Sequence, residues 1–405
     1  MPDATDSVLI RRLTPKNFLS FGPDNEGIEL GPLNLLIGPN GCGKSNLIEA
    51  VNLMRAAPKE YRQVFRDSGA GIAEWIWKGQ PKLPASIDWV ITNPNGRKAP
   101  MPLRHVISFL SESQGFSLDQ ERVEDEKKVS GKRNVDYYYR YNDGDGVGLK
   151  INANSLKDLK DLKPGSPKIE PDRSILAQRR DPDVYPEFGW LAENYEKIRI
   201  YREWTFGRNA VFRKPQDAAM RNDILDENFS NLGMFLNRLK TRFPVAKREI
   251  LARLKDLYDG ITDFEVTIVG GTVQILLTEG DFAIPAPRLS DGTLRYLCLL
   301  AILCDPEPPP LICIEEPELG LHPDILPTIA DLLLSASKRT QLIVTTHSDV
   351  LVDAMNDTPE VVVVCSKEEG QTKMERLNPD ELSVWLKKYR LGQLWIDGQI
   401  GGKRW

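Results

Sequence analysis

The residues whose types and spacing could do chemistry begin at Gly38-Pro39-Asn40-Gly41-Cys42-Gly43-Lys44-Ser45, which satisfies G-x-x-x-x-G-K-[ST]. Glycines at this spacing let consecutive backbone N–H groups converge on one point, and the amino end of a following helix adds its positive pole there. Lys44 can then reach the β- and γ-phosphates of a nucleoside triphosphate, and the Ser45 hydroxyl can take one position on Mg2+. Asn40, Gly41, Cys42 and Gly43 ahead of them, and Asn46 behind, complete the candidate phosphate contacts. A chance glycine-rich turn is the bland alternative. It is opposed by the apolar run Leu33 to Ile37, which reads as a buried strand, and by residues 46–54, which read as a helix with an apolar stripe.

Three later stretches could complete a site. Leu311-Ile312-Cys313-Ile314 is an apolar strand that delivers Glu315-Glu316-Pro317-Glu318. There Glu315 can hold Mg2+ or its water, and Glu316 can polarise a water for attack on a γ-phosphate. Leu342 to Thr346 is a further buried strand, and it delivers His347, placed to hydrogen-bond the γ-phosphate or the attacking water. Leu289-Ser290-Asp291-Gly292-Thr293 opens an apolar helix and offers an anion-binding end, although taken alone it is also an ordinary helix cap.

The elements that must position these residues are spread along 405 residues, enough for one large domain with an insertion or for two domains. With 58 acidic and 53 basic residues the net charge of −5 argues neither for nor against nucleic acid. Five cysteines without metal-ligand spacing read as reduced thiols. The apolar stretch at residues 8–10 is too short for a signal peptide, and residues 294–304 are too short to span a bilayer, so a soluble cytoplasmic chain with no membrane contact is expected. Strand-like runs at 87–90, 104–110 and 135–141 suggest a β-rich lobe. The charged stretch 121–133 reads as a solvated hairpin tip or mobile loop without chemistry, and 155–172 as a linker. Residues 222–257 are the most helical part. Their basic run from Arg238 to Lys255, seven cations against Glu249 alone, reads equally as DNA contact or as a solvated helix face. Val269-Gly270-Gly271 reads as the turn of a β-hairpin.

Phosphate loop, then Leu-Ser-x-Gly, then strand plus Glu-Glu, then strand plus His is an order that resembles the ABC-type ATPase heads of the SMC, RecF and OLD branch. Lys16-Asn17-Phe18-Leu19-Ser20-Phe21 is similar to that branch's N-terminal signature. Glu315 to Pro323 and Thr345-Thr346-His347-Ser348 are similar to stand-alone OLD-like ATPases of anti-phage defence. The resemblance covers residues 7–56 and 286–366. It implies an α/β P-loop NTPase fold of ABC-ATPase type with a β-rich lobe and an inserted helical lobe. The parts are 1–173 with the phosphate loop, 174–262 as a mainly helical insert, 263–366 completing the head, and 367–405 as a tail.

The resemblance also implies an ATPase using ATP and Mg2+, with Glu316 as catalytic carboxylate and His347 as switch histidine. Leu289, Ser290, Asp291 and Gly292 would read the ATP of a second copy of the chain in a head-to-head homodimer. Glu315 stands where many relatives carry Asp, and Asp291 replaces a glycine, so slow turnover is expected. A glutamine that meets Mg2+ is sought between the lobes, with Gln178 the candidate by position and Gln114 the alternative. The missing coiled coil and the missing Toprim carboxylates imply a head that works with a separately encoded effector, such as a Toprim-type nuclease. A RecF-like DNA-repair ATPase and a slowly cycling scaffold are the competing readings.

Overall fold

The structure is a computed structural model that describes residues 7–69, 71–92, 101–112, 115–128, 135–142, 146–150, 156–158, 170 and 173–401. Gln114 and nearly all of the expected linker 155–172 lie outside the described residues, as does the tail from residue 402 on.

The site is built on a six-stranded sheet whose order is Arg199–Tyr201, Leu311–Glu315, Gln341–Thr345, Leu33–Ile37, Val362–Glu368 and Gln371–Arg376. The first five strands are parallel and the last is antiparallel. All five residues of Leu33–Ile37 and of Gln341–Thr345 are buried, as expected of a parallel sheet covered on both faces. Side-chain alternation divides them between two cores. Leu33, Leu35 and Ile37 join the helices Asp291–Leu303, Leu326–Ala336 and Leu232–Arg242, whereas Leu36 joins the phosphate-loop helix Lys44–Ala56.

That helix is shared with a second, antiparallel sheet of eight strands. Its order is Ile28–Glu29, Ile10–Lys16, Ala85–Ile91, Leu103–Glu112, Gly115–Asp125, Tyr137–Asn142, Gly146–Lys150 and Leu156–Asp158. The expected β-rich lobe is therefore present. One reading of it is overturned. Residues 121–125 are not a solvated tip but the end of a strand, and Glu121 is fully buried. Its carboxylate faces His105 Nε2 at 3.1 Å and accepts from the Ser174 hydroxyl and from the Ile175 N–H at 2.8 Å. Composition read the charge as solvent-facing, whereas tertiary partners pin it inside, where a buried charge must be hydrogen-bonded.

The segment 174–262 carries the helices Pro186–Lys197, Leu232–Arg242 and Pro244–Leu257. It also supplies the edge strand Arg199–Tyr201 of the main sheet, so Phe235, Leu239, Ile250 and Leu254 share one core with Leu35 and Ile37. The cationic run within it is not a single face. Arg238 is 4 % exposed and ion-paired to Asp305 at 3.1 Å and Glu307 at 2.7 Å, and Lys247 pairs with Asp263 at 2.9 Å. Arg238 is thus removed from any nucleic-acid surface, because a charge locked into a buried pair cannot reach a phosphate.

The strands Ile261–Val269 and Thr272–Glu279 form the expected hairpin. Its Gly270-Gly271 turn has φ +58° and +78°, the two positive values that a two-residue type I′ turn requires. The hairpin leads through Phe282–Pro285 into the Ser290 turn. Among the described residues no helix is long and apolar enough to cross a membrane. All five cysteines are free and buried.

Candidate functional site

Register decides what meets. Thr345 lies opposite Glu315 on one side and Leu36 on the other, so the three parallel strands end level and deliver the phosphate loop, Glu316 and His347 to one edge of the sheet. The strand carrying Glu315 is not the immediate neighbour of the phosphate-loop strand. Gln341–Thr345, which leads to His347, lies between them.

In the phosphate loop Gly38, Gly41 and Gly43 have φ +143°, +74° and +107°. A Cβ on Gly43 would stand 2.1 Å from Thr372 Oγ1, so glycine is required there by space as well as by φ. Lys44 is 7 % exposed, and its Nζ donates to the carbonyls of Gly38 at 2.8 Å and Pro39 at 3.1 Å. The ammonium thus sits over the loop. Cys42 is buried, and its thiol is held below the ordinary range by a hydrogen bond with Cys365 and by the charge of Lys44. Asn40 and Gly41 are exposed at the loop's crest.

Ser20 and Thr372 brace this loop from outside. Thr372 Oγ1 donates to the Cys42 carbonyl at 2.8 Å and pairs with Ser20 Oγ at 2.6 Å, and Asn46 Nδ2 donates to Ser20 Oγ at 2.6 Å. Nothing in the sequence points to Thr372, since a lone threonine in a strand carries no signal. Phe18 and Phe21 are buried and pack.

The Ser45 hydroxyl donates to Glu315 Oε2 at 2.8 Å. Two hard oxygen donors converging beside a phosphate cradle fit Mg2+, which takes few protein ligands and completes its shell with phosphate and water. Arg202 was not foreseen. Its Nε is 3.5 Å from Glu315 Oε1, and its guanidinium also pairs with Glu49 on the phosphate-loop helix. Trp204 Nε1 donates to the Glu315 carbonyl at 2.6 Å. Both are placed by the edge strand Arg199–Tyr201, whose pairing with Leu311–Glu315 no local pattern announces.

Glu316 has φ +47°, a left-handed conformation that costs a non-glycine residue about 1–3 kcal/mol. Its N–H is held by the Thr345 carbonyl at 3.0 Å, and the turn aims its carboxylate at His347, with Oε1 3.8 Å from Nε2. Glu318 supports the pair. Its Oε1 accepts from the Thr346 hydroxyl and the His347 N–H, each at 2.7 Å, and burial raises its carboxyl above the ordinary range. The structure does not bring Gln178 to these residues. Its amide donates to the Glu170 and Arg173 carbonyls at 2.9 and 2.8 Å, and among the described residues no hydrogen bond joins it to Ser45 or Glu315.

The Ser290 turn presents its hydroxyl outward. Ser290 Oγ caps the helix Asp291–Leu303 by accepting from Thr293 N–H at 3.0 Å, and Ser290 and Asp291 are exposed. Among the described residues no hydrogen bond ties the turn to the phosphate loop. The glycine departure at Asp291 has a local cause. Asp291 pairs with the buried Arg213, which also donates to the carbonyls of Leu289 at 2.8 Å and Ala286 at 3.0 Å. One turn on, Arg295 stacks over Trp204 and Phe206 at 5.1 and 4.9 Å and donates to the Leu319 carbonyl. Gly292 faces the Gly320 carbonyl so closely that a Cβ would lie 3.3 Å from it. The turn is thereby linked to Glu315 through Arg295 and Trp204.

Comparison with solved structures gives this fold directly. The chain is similar to an SMC head bound to the C-winged helix domain of ScpA, with 16 % identity, TM-score 0.58, and 92 % of this chain and 99 % of that one covered. It is also similar to an SMC head with an extended coiled coil bound to the C-terminal domain of ScpA, from Pyrococcus furiosus. There the identity is 13 %, the TM-score 0.58 and the coverage 94 % and 99 %. Comparison with curated proteins gives no significant match. A model described as "AAA domain" matches residues 12–164, and a second AAA model matches residues 91–353, more than half of the chain. The chain therefore has the P-loop NTPase fold of SMC-head ATPases and belongs to the family described as "AAA domain, putative AbiEii toxin, Type IV TA system".

Proposed function

We propose that this chain hydrolyses ATP to ADP and phosphate at two composite sites formed when two copies close head to head. The observation that carries the reading is the division of the site. Lys44, Ser45, Glu315, Glu316 and His347 are assembled within one chain, whereas the Ser290 turn is hydrogen-bonded from behind by Arg213 and presented to solvent. In this reading the loop from Asn40 to Asn46 grips the triphosphate, and Ser45 and Glu315 hold Mg2+. A bound Mg2+ supplies charge neutralisation across the β- and γ-phosphates. Glu316 takes the proton of the attacking water, His347 orients that water or the γ-phosphate, and Leu289 to Gly292 of the second copy close over the same phosphate. The parts 1–173 and 263–366 make up most of the head, with 174–262 between them lending its main sheet the edge strand Arg199–Tyr201 and 367–405 following as a tail that lends it the strand Gln371–Arg376.

Closure gives such a chain a signal to pass on, because each γ-phosphate is held by both copies and hydrolysis removes that grip. We assign it the role of an OLD-like sensor in bacterial anti-phage defence, in the cytoplasm, controlling a separately encoded effector such as a Toprim-type nuclease. The match to a family described by a type IV TA system supports a partnered role. The RecF-like reading is weakened by the burial of Arg238.

The test is light scattering on the Glu316→Gln chain with and without ATP and Mg2+. The expected result is a nucleotide-dependent dimer that disperses on adding Ser290→Arg. A chain that stays monomeric with ATP under every condition sinks the reading.

A further inference from the structure

Between the short helix Pro379–Leu382 and the helix Leu391–Ile396 the chain runs in turns, and two large rings face solvent there. Trp385 is 45 % and Tyr389 41 % exposed, with ring centroids 6.0 Å apart. Lys387, Lys388 and Arg390 are exposed among them, and none makes an ion pair among the described residues. No acidic residue occurs from Leu382 to Ile396, in a chain whose net charge is −5.

The segment is not a frayed end. Leu382 is buried before it, and Leu391, Leu394 and Trp395 are buried after it. The Leu391 N–H donates to Asn356 Oδ1 at 3.2 Å and the Gly392 N–H to Asp353 Oδ1 at 2.7 Å. Its anchor is thus the helix Asp349–Asp353 and the turn after it, immediately downstream of His347. The backbone that carries the rings is hydrogen-bonded within the segment, from Leu386 N–H to the Leu382 carbonyl and from Tyr389 N–H to the Trp385 carbonyl, which lowers the ordering cost of binding.

Exposed aromatic rings interleaved with unpaired cations suit a strand whose bases are free to stack and whose phosphates need neutralising. A duplex offers the phosphates but keeps its base faces stacked. We propose that residues 383–390 form a binding surface for single-stranded nucleic acid, with Trp385 and Tyr389 stacking on unpaired bases and Lys387, Lys388 and Arg390 meeting the phosphates. None of these residues belongs to the proposed ATP site, and the test requires no ATP.

The experiment is fluorescence anisotropy of a labelled oligothymidine and of a duplex of equal length with the full chain at low salt. The expected result is preference for the single strand, weakened about tenfold or more by Trp385→Ala with Tyr389→Ala. Trp385→Phe, which keeps a stacking face, should stay close to the parent. Lys387→Gln with Lys388→Gln should flatten the slope of log affinity on log salt by about 1.4, two phosphate contacts at ~0.7 each. If the alanine variants melt early, the phenylalanine and glutamine variants still decide. Equal binding of single strand and duplex overturns the proposal. So does loss of self-association in the aromatic variant with oligonucleotide binding intact, which would make the surface a protein contact.

Discussion

The two halves of the proposed ATP site are held in different ways. The half at the strand ends is locked inward, with Ser45 on Glu315, Glu318 on the His347 loop, and Thr372 on the phosphate loop. The Ser290 half is locked from behind. Arg213 and Arg295 fix it to its own chain while its hydroxyl and Asp291 face outward. A surface turn needs no such backing to cap a helix. The backing makes sense if the turn must keep its shape for a ligand held elsewhere.

The largest effect expected within this contrast comes from Glu316→Gln. ATP turnover should fall roughly 10²–10⁴-fold while ATP affinity holds, because in the proposed reading only the proton acceptor is lost. Phosphate-release kinetics beside equilibrium nucleotide binding check it, and equal loss in both would move Glu316 from chemistry to binding.

Next is Arg238→Ala, which releases the far end of the Ser290 helix, where Asp305 follows the C-cap Cys304. Leaving Asp305 buried and unpaired should cost about 3–5 kcal/mol in denaturant unfolding at neutral pH. Burial already raises the Asp305 carboxyl. A raised folded value contributes stability below the unfolded value near 3.8 that is lost as pH rises through the folded one. Without Arg238 that window extends upward, so the variant's deficit should shrink in acid. A pH-independent deficit would show that Asp305 is not the group left exposed to cost.

Arg213→Ala should destabilise by about 1–3 kcal/mol for each carbonyl left without a donor. Turnover should drop, with nucleotide affinity of the single chain unchanged, which sharpens the separation of the two halves. Isothermal binding and steady-state rates compared on one preparation test this. The smallest effect is assigned to Trp204→Phe, which keeps a ring under Arg295 but removes the donor to the Glu315 carbonyl. A loss of about 0.5–1.5 kcal/mol is expected from one hydrogen bond, seen in thermal unfolding. If the rate changes more than the stability does, Trp204 transmits between the halves as well as bracing them.

Much of the inward-locked half could be read directly. Gly38 to Ser45, the strand before it and the apolar strands ending at Glu315 and Thr345 announce themselves by spacing and composition, because glycine φ, strand burial and helix polarity are local properties. Arg202, Trp204, Arg213 and Thr372 could not be read in this way. They lie 100 or more residues from Glu315, 76 from Leu289 and 330 from Cys42, and only the register of the edge strand and the closing hairpin brings them in. Glu121 and Arg238 misled for the reverse reason, since a charge in a charged stretch looks solvated until its partner is known.

By itself the sequence determined a strand, a glycine-rich loop and a helix, followed by two strands tipped with glutamates and a histidine, because those features follow from periodicity and backbone sterics. Tertiary structure alone decided that the histidine strand lies between the other two, that Glu315 meets Ser45 and Arg202, and that the Ser290 turn faces solvent. Those outcomes depend on which strand pairs with which and on where buried arginines find their carbonyls, and pairing energies are set between segments far apart in the chain.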